Sequence, residues 1–121
     1  MGHYLSSPKT DKCSESGKPE ADQNLELTYC SCSMQGWRRT MEDALKVEAK
    51  LRQGEALFGI FDGHGGKEVA QFCANEIIDV LHAQDSYTSQ DYEKALRDCF
   101  ISLDAQLSTL EGQNKIVEIA K

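Results

Sequence analysis

Hydrophobic and polar residues follow three strand-like patterns in the first half of the chain. Residues 45–51 alternate one by one between apolar and charged, which is typical of a strand with one buried face. Residues 56–61 are almost all apolar, which predicts a strand buried on both faces. The polar turn at 52–55 joins the two into a hairpin. A shorter alternation over 25–29 predicts one more strand before them.

Helical spacing begins directly after the second strand of the hairpin. Apolar residues recur with a period near 3.6 and predict a helix over 66–83. A second amphipathic helix runs to about Leu110, with Thr88 or Ser89 as its N-cap. The polar segment 111–114 predicts a break, and a third helix is expected to begin after it. Three strands followed by helices predict an α+β fold.

The first 24 residues are polar and have no periodicity, which predicts a flexible N-terminal arm over 1–24. An ordered domain is expected over 25–121. The arm begins with the acceptor pattern for N-myristoylation, with Gly2 as the acceptor and Ser6 at the required spacing. One acyl chain binds a membrane weakly, so the pattern predicts a reversible membrane association rather than a firm anchor.

Composition narrows the functional classes. The 121 residues carry a net charge of -7, and the basic residues do not cluster, which argues against nucleic-acid binding. Five cysteines form an odd, unpatterned set, and the sequence begins with no secretory signal. Reduced thiols in an intracellular protein, cytoplasmic or nuclear or both, are therefore expected.

The end of the hairpin's second strand carries the candidate chemistry. Asp62 is followed by the segment 63–66, which contains three glycines and a histidine. A rigid strand end positions the carboxylate, and glycines let a ligand approach the backbone closely. The start and end of a hairpin lie at the same end of the sheet, so Glu42 and Asp43 are expected near Asp62. A capped strand-to-helix turn is the purely structural alternative.

The residue types at this end of the hairpin favour phosphoester hydrolysis. Carboxylates and a backbone carbonyl, such as that of Gly63, are oxygen ligands that suit Mg²⁺ or Mn²⁺. A carboxylate between two cations is typical of two-metal hydrolytic centres. Arg38 or Arg39 can bind phosphate oxygens with paired hydrogen bonds, and His64 can protonate a leaving oxygen. Taken alone, an arginine or a carboxylate here would more often be a surface charge, and His64 would more often cap the turn.

Two segments, 34–44 (MQGWRRTMEDA) and 61–66 (FDGHGG), resemble the opening motifs of the metal-dependent PP2C (PPM) serine/threonine phosphatases. The N-terminal arm looks most like the gamma-type branch. The resemblance covers essentially the whole chain but only the first part of that family's catalytic domain. It implies part of a β-sandwich of two antiparallel sheets flanked by α-helices. An antiparallel sheet and two helices of that fold are expected in this chain.

The resemblance also implies roles for individual residues in metal binding. Glu42 matches the family's metal carboxylate, and Asp43 resembles a supporting acid beside it. Asp62 matches the carboxylate that bridges two ions, Mg²⁺ or Mn²⁺. Gly63 matches the residue whose backbone carbonyl binds one of them. The later aspartates that complete this site in the family are absent from this sequence.

The same resemblance assigns two residues to the reaction itself. Arg38 matches the phosphate-binding arginine, and His64 matches the proposed general acid. The implied function is hydrolysis of phosphoserine and phosphothreonine in protein substrates by a metal-activated water. Because the metal site is incomplete, this chain alone is expected to be inactive. Two alternatives stay open: a phosphoprotein-binding module without turnover, and a regulatory fragment.

Overall fold

The computed structural model describes residues 4–18 and 27–121. The strands of this part are β1 (Tyr4–Gly17), β2 (Tyr29–Arg38), β3 (Ala44–Arg52) and β4 (Glu55–Phe61). The helices of this part are α1 (Glu68–His82), α2 (Asp85–Thr88), α3 (Tyr92–Leu107) and α4 (Leu110–Ile119). The combination of antiparallel strands and helices confirms the α+β class and is consistent with a fragment of a PP2C-type fold. None of the helices described is long and apolar enough to cross a membrane.

The chain divides into two compact units. The first contains the described residues up to Glu42 together with Val47–Phe58. The second contains Asp43–Lys46 and Gly59–Lys121. The hairpin of β3 and β4 therefore contributes its turn end to the first unit and its base to the second.

The antiparallel pair of β1 and β2 dominates the first unit. Its register is regular from the pair Gly17 and Tyr29 to the pair Lys12 and Met34. The Tyr29 ring covers the Cα of Gly17 so closely that a Cβ there would collide with it. The same ring packs against Phe58, with 5.3 Å between the ring centroids. An aromatic side chain thus stabilises the end of a pair whose other side chains are mostly exposed.

The prediction of an arm without regular structure is wrong for Tyr4–Gly17, which form β1. Nearly all side chains of β1 are exposed, so no alternation of apolar and polar residues marks it as a strand. Backbone pairing with β2 forms it instead, and such pairing leaves no local pattern in the sequence. The predicted boundary between residues 24 and 25 and the acceptor Gly2 lie outside the described residues.

The β3–β4 hairpin agrees with the sequence prediction in its position but not in its burial. Gln53 and Gly54 form the turn between the strands, and Gly54 has a φ of 75°, which favours glycine. The prediction that the second strand is buried on both faces is wrong, because Ile60 is 76% exposed and Phe58 is 45% exposed. Phe58 and Ile60 lie on the same face of β4, because side chains alternate along a strand. Within the described residues the hairpin is a sheet of only two strands, and this face stays largely exposed.

Packing of α1 against α3 forms the core of the second unit. The predicted helix over 66–83 is confirmed as α1. Asp91, not Thr88 or Ser89, caps α3, and its carboxylate accepts a hydrogen bond from the Lys94 amide at 3.2 Å. The buried apolar residues of these two helices include Phe72, Ala74, Ile77, Val80, Leu81, Ala95, Cys99 and Leu103.

The predicted break at 111–114 is also wrong, because α4 begins at Leu110. Thr109 caps it by accepting a hydrogen bond from the Gly112 amide at 3.0 Å. A Cβ at Gly112 would collide with the carbonyl of Gln106 at the end of α3. The glycine that looks like a helix breaker in the sequence therefore lets the first turn of α4 approach α3 closely.

Candidate active site

A small apolar cluster in the second unit anchors the base of the β3–β4 hairpin. Ala44, the first residue of β3, is buried together with Ala70 and Ala74 of α1. Phe61, the last residue of β4, packs against the same cluster. Its ring also lies 6.5 Å from that of Phe100 on α3. Both strands of the hairpin are thus fixed at their base by contacts with helices.

This anchoring fixes the backbone beside two of the predicted metal ligands. Asp43 comes directly before Ala44, and Asp62 comes directly after Phe61. Since Ala44 and Phe61 belong to one cluster, the two carboxylate-bearing residues start from neighbouring points at the same end of the hairpin. Both are exposed. The hairpin therefore presents two oxygen-donor side chains to solvent from a packed base.

The turn from β4 to α1 depends on its glycines. Gly65 has a φ of 76° and Gly66 a φ of 141°, and both values lie in the region that other residues rarely adopt. A Cβ at Gly66 would also require the carboxylate of Glu68, in the first turn of α1, to move. His64 stands exposed in the same turn. The glycines thus let the chain pass from an anchored strand end into a helix within a few residues.

The other two predicted site residues lie at and after the end of β2, in the first unit. The Gln35 side-chain amide donates hydrogen bonds to the carbonyls of Arg38 at 2.8 Å and Arg39 at 2.9 Å. These bonds fix the backbone from which the exposed Arg38 side chain extends. The Thr40 hydroxyl donates to Oε1 of Glu42 at 2.8 Å, which orients that carboxylate.

Sequence reasoning missed the positioning roles of Gln35 and Thr40. Both are polar residues inside the segment 34–44, at spacings of three and two residues from the site residue that each one holds. Gln and Thr side chains often hydrogen-bond to nearby groups where a strand ends, because the ladder no longer satisfies the backbone there. This spacing was the available signal.

The structure thus divides the predicted site residues between the two units. Arg38 and Glu42 belong to the first unit, and the remaining four belong to the second. Across residues 4–18 and 27–121, no three His, Cys, Asp or Glu side chains form a group suited to a metal ion. The assignment of individual ligands therefore stays a prediction.

Comparison with known proteins identifies the family. The family model described as Protein phosphatase 2C matches residues 27–119. The chain is 43% identical over 119 residues to "Probable protein phosphatase 2C 4" of Paramecium tetraurelia. This alignment covers 98% of this chain and 38% of that protein. It is 42% identical over 120 residues to "Protein phosphatase 1G" of Homo sapiens, which covers 99% of this chain and 22% of that protein.

The chain therefore spans less than two fifths of the length of these relatives. The family model matches more than three quarters of the chain and includes both motif segments, 34–44 and 61–66. The resemblance inferred from those segments is confirmed at the level of the family. This chain belongs to the protein phosphatase 2C family.

Proposed function

We propose that this chain is the N-terminal part of the catalytic domain of a metal-dependent protein serine/threonine phosphatase. The observation that carries the proposal is the family match over 27–119, which contains all six predicted site residues. The relatives described above are named as protein phosphatases, in agreement with this function. The substrates would be proteins that carry phosphoserine or phosphothreonine.

Arg38 binds the substrate phosphate in this proposal. Its side chain is exposed, and Gln35 fixes the backbone beneath it through two hydrogen bonds. A guanidinium offers parallel N–H donors that fit two phosphate oxygens at once, which gives both charge and orientation. The Gln35 amide also donates a hydrogen bond to the carbonyl of Arg39, but Arg39 does not match the family's phosphate-binding arginine. Arg39 is therefore the matched control for Arg38.

Four residues would hold two Mg²⁺ or Mn²⁺ ions. Glu42, Asp43 and Asp62 offer carboxylate oxygens and Gly63 a backbone carbonyl, and such hard oxygen donors suit these ions. The hydrogen bond from Thr40 directs the Glu42 carboxylate, and the anchored hairpin base fixes the backbone beside Asp43 and Asp62. When bound, the ions supply positive charge against the phosphoryl oxygens and a water of lowered pKa as nucleophile.

His64 would donate a proton to the oxygen of the departing serine or threonine. A protonated histidine side chain is a common general acid, because its ring N–H can donate a proton to a leaving oxygen. The side chain is exposed and stands between two glycines, which leave the approach to it open. A protein substrate can therefore reach the imidazole from solvent.

The 121-residue chain by itself would bind phosphoproteins with little or no turnover. Two close divalent cations need several carboxylates to offset their charge, and the matched motifs of this chain supply three. The phosphate-binding arginine is nevertheless present with its backbone support. A phosphoprotein-binding or regulatory role is thus the second candidate function for the chain in isolation.

One set of assays separates these functions. The purified chain is incubated with an aryl phosphate and Mn²⁺, and its binding to a phosphoserine peptide is measured against the same peptide without phosphate. Binding of the phosphopeptide alone, without hydrolysis, supports the binding role, and brisk Mn²⁺-dependent hydrolysis contradicts the expectation of inactivity. Equal binding of both peptides contradicts phosphate recognition.

Arg38→Ala and Arg39→Ala form the matched pair of variants for this assay. We expect Arg38→Ala to weaken phosphopeptide binding by about 1.5–3 kcal/mol, because it removes charge-assisted hydrogen bonds. Arg39→Ala should change it little. A large loss of thermal stability in Arg38→Ala with unchanged binding would instead indicate a structural role.

We also propose an intracellular location, cytoplasmic or nuclear, with weak and reversible membrane association through an acylated Gly2. The terminal sequence fits the acceptor pattern, and a single acyl chain gives marginal membrane affinity. The net charge of -7 argues against nucleic acid as a partner.

A further inference from the structure

The β1–β2 pair carries three exposed free thiols that the proposed phosphatase chemistry does not use: Cys13, Cys30 and Cys32. They lie in the regular part of the ladder, where Cys13 pairs with Ser33. The remaining cysteines, Cys73 and Cys99, lie on α1 and α3. The three thiols of the ladder therefore belong to the first unit and lie outside the two motif segments, 34–44 and 61–66.

The register places two of these thiols side by side. Side chains of a strand alternate between faces, so Cys30 and Cys32 point to the same face of β2. Their partners across the ladder are Ser16 and Ser14, whose side chains are small. Cys13 pairs with the residue that follows Cys32 and therefore lies on the opposite face.

Both thiols of this pair are available to a ligand. Two residues along a strand span about 6.6 Å between Cα atoms, so rotation about the Cα–Cβ bonds can bring the two sulfurs toward each other. The Cys30 sulfur makes only a long contact of 3.8 Å with the carbonyl of the adjacent Ser31. In contrast, burial raises the pKa of Cys73, and it raises the pKa of Cys99 to about 11, so those thiols stay protonated.

We propose that Cys30 and Cys32 form a dithiol site that binds one copper(I) ion. Thiolates are soft ligands that select copper(I), zinc and iron–sulfur clusters. Zinc sites and iron–sulfur clusters need further protein ligands, and the described residues offer no group of three or more suitable side chains. Copper(I) is satisfied by two thiolates. Each thiol releases its proton to solvent on binding, and no redox change takes place.

Competition for copper(I) under anaerobic, reducing conditions tests this site. The whole 121-residue chain is titrated into copper(I) held by a coloured chelator, and loss of the chelator colour reports transfer to the protein. We expect one copper(I) per chain, with an affinity that rises with pH because two protons are released. Cys30→Ser or Cys32→Ser should lower the affinity at least tenfold, whereas Cys13→Ser should leave it within a factor of two.

A variant that moves one thiol to the other face is the sharper control. In the Cys13→Ser background, Cys32→Ser combined with Ser33→Cys keeps two thiols on β2 but places them on opposite faces, with position 33 partly buried. This variant should lose as much affinity as Cys30→Ser, with an unchanged far-ultraviolet circular dichroism spectrum. Retained affinity would overturn the proposal. Half an equivalent of copper with a doubled molecular mass would also overturn it, because that result means bridging between chains.

Discussion

From the contact of Phe61 with the cluster of Ala44, Ala70 and Ala74, we predict how much unfolding free energy is lost when Phe61 is truncated. Complete truncation of a fully buried phenylalanine costs about 3–5 kcal/mol of unfolding free energy. Phe61 is only partly buried, so we expect Phe61→Ala to cost about 2 kcal/mol, including its ring contact with Phe100.

Ile60→Ala is the matched control because it changes the neighbouring residue of the same strand. Ile60 is 76% exposed, so its truncation loses little burial and costs at most about 1 kcal/mol through strand propensity. Both free energies come from urea unfolding followed by far-ultraviolet circular dichroism. Phe61→Ala should be less stable than Ile60→Ala by roughly 1–2 kcal/mol.

The comparison decides whether the hairpin base is anchored as described. If the two variants lose equal stability, the contacts of Phe61 neither hold the end of β4 nor position Asp62. If only Phe61→Ala is destabilised, Mn²⁺ binding should weaken in that variant as well, since the backbone beside Asp62 is no longer fixed. Calorimetric titration of both variants with Mn²⁺ measures that second effect.

Three further predictions concern other parts of the chain. In a chain that carries a complete catalytic domain, Asp62→Asn should abolish Mn²⁺-dependent turnover without unfolding the protein. The control variant Asp79→Asn on α1 should leave turnover intact. Full activity of Asp62→Asn would contradict the metal assignment. Hydrogen bonds from Lys94 and the Ser86 hydroxyl lower the pKa of Asp98, so its stabilising effect is complete above about pH 4 and is lost as the pH falls through the lowered pKa. Unfolding free energies of the original chain and Asp98→Asn between neutral and acid pH should therefore converge at low pH, and a constant difference would refute this linkage. Mass spectrometry of the N-terminus from a eukaryotic cell should find a myristoyl group on Gly2; an unmodified or merely acetylated glycine would show that the pattern match is accidental.

Local patterns in the sequence were sufficient for the hairpin and the two long helices. Neighbouring side chains that share a face produce the alternation over 45–51 and the 3.6-residue spacing of α1. The polar turn before β4 is equally local. The two motif segments likewise identified the family, because their residue types and spacing can be read directly from the chain. These features depend on residues that are close in sequence.

Tertiary contacts decided the features that the sequence did not reveal. β1 has exposed side chains on both faces and is formed by backbone bonds to β2, which a hydrophobic pattern cannot report. Gly112 lies within a helix because α4 must approach the carbonyl of Gln106, a contact between separate elements. Gln35 acquires its positioning role only because β2 ends where its amide can reach the carbonyl of Arg38. In each case, a backbone group on another segment or at a strand end sets the role of the residue. The sequence pattern could not reveal these roles, because apolar periodicity reports side-chain burial and not backbone pairing.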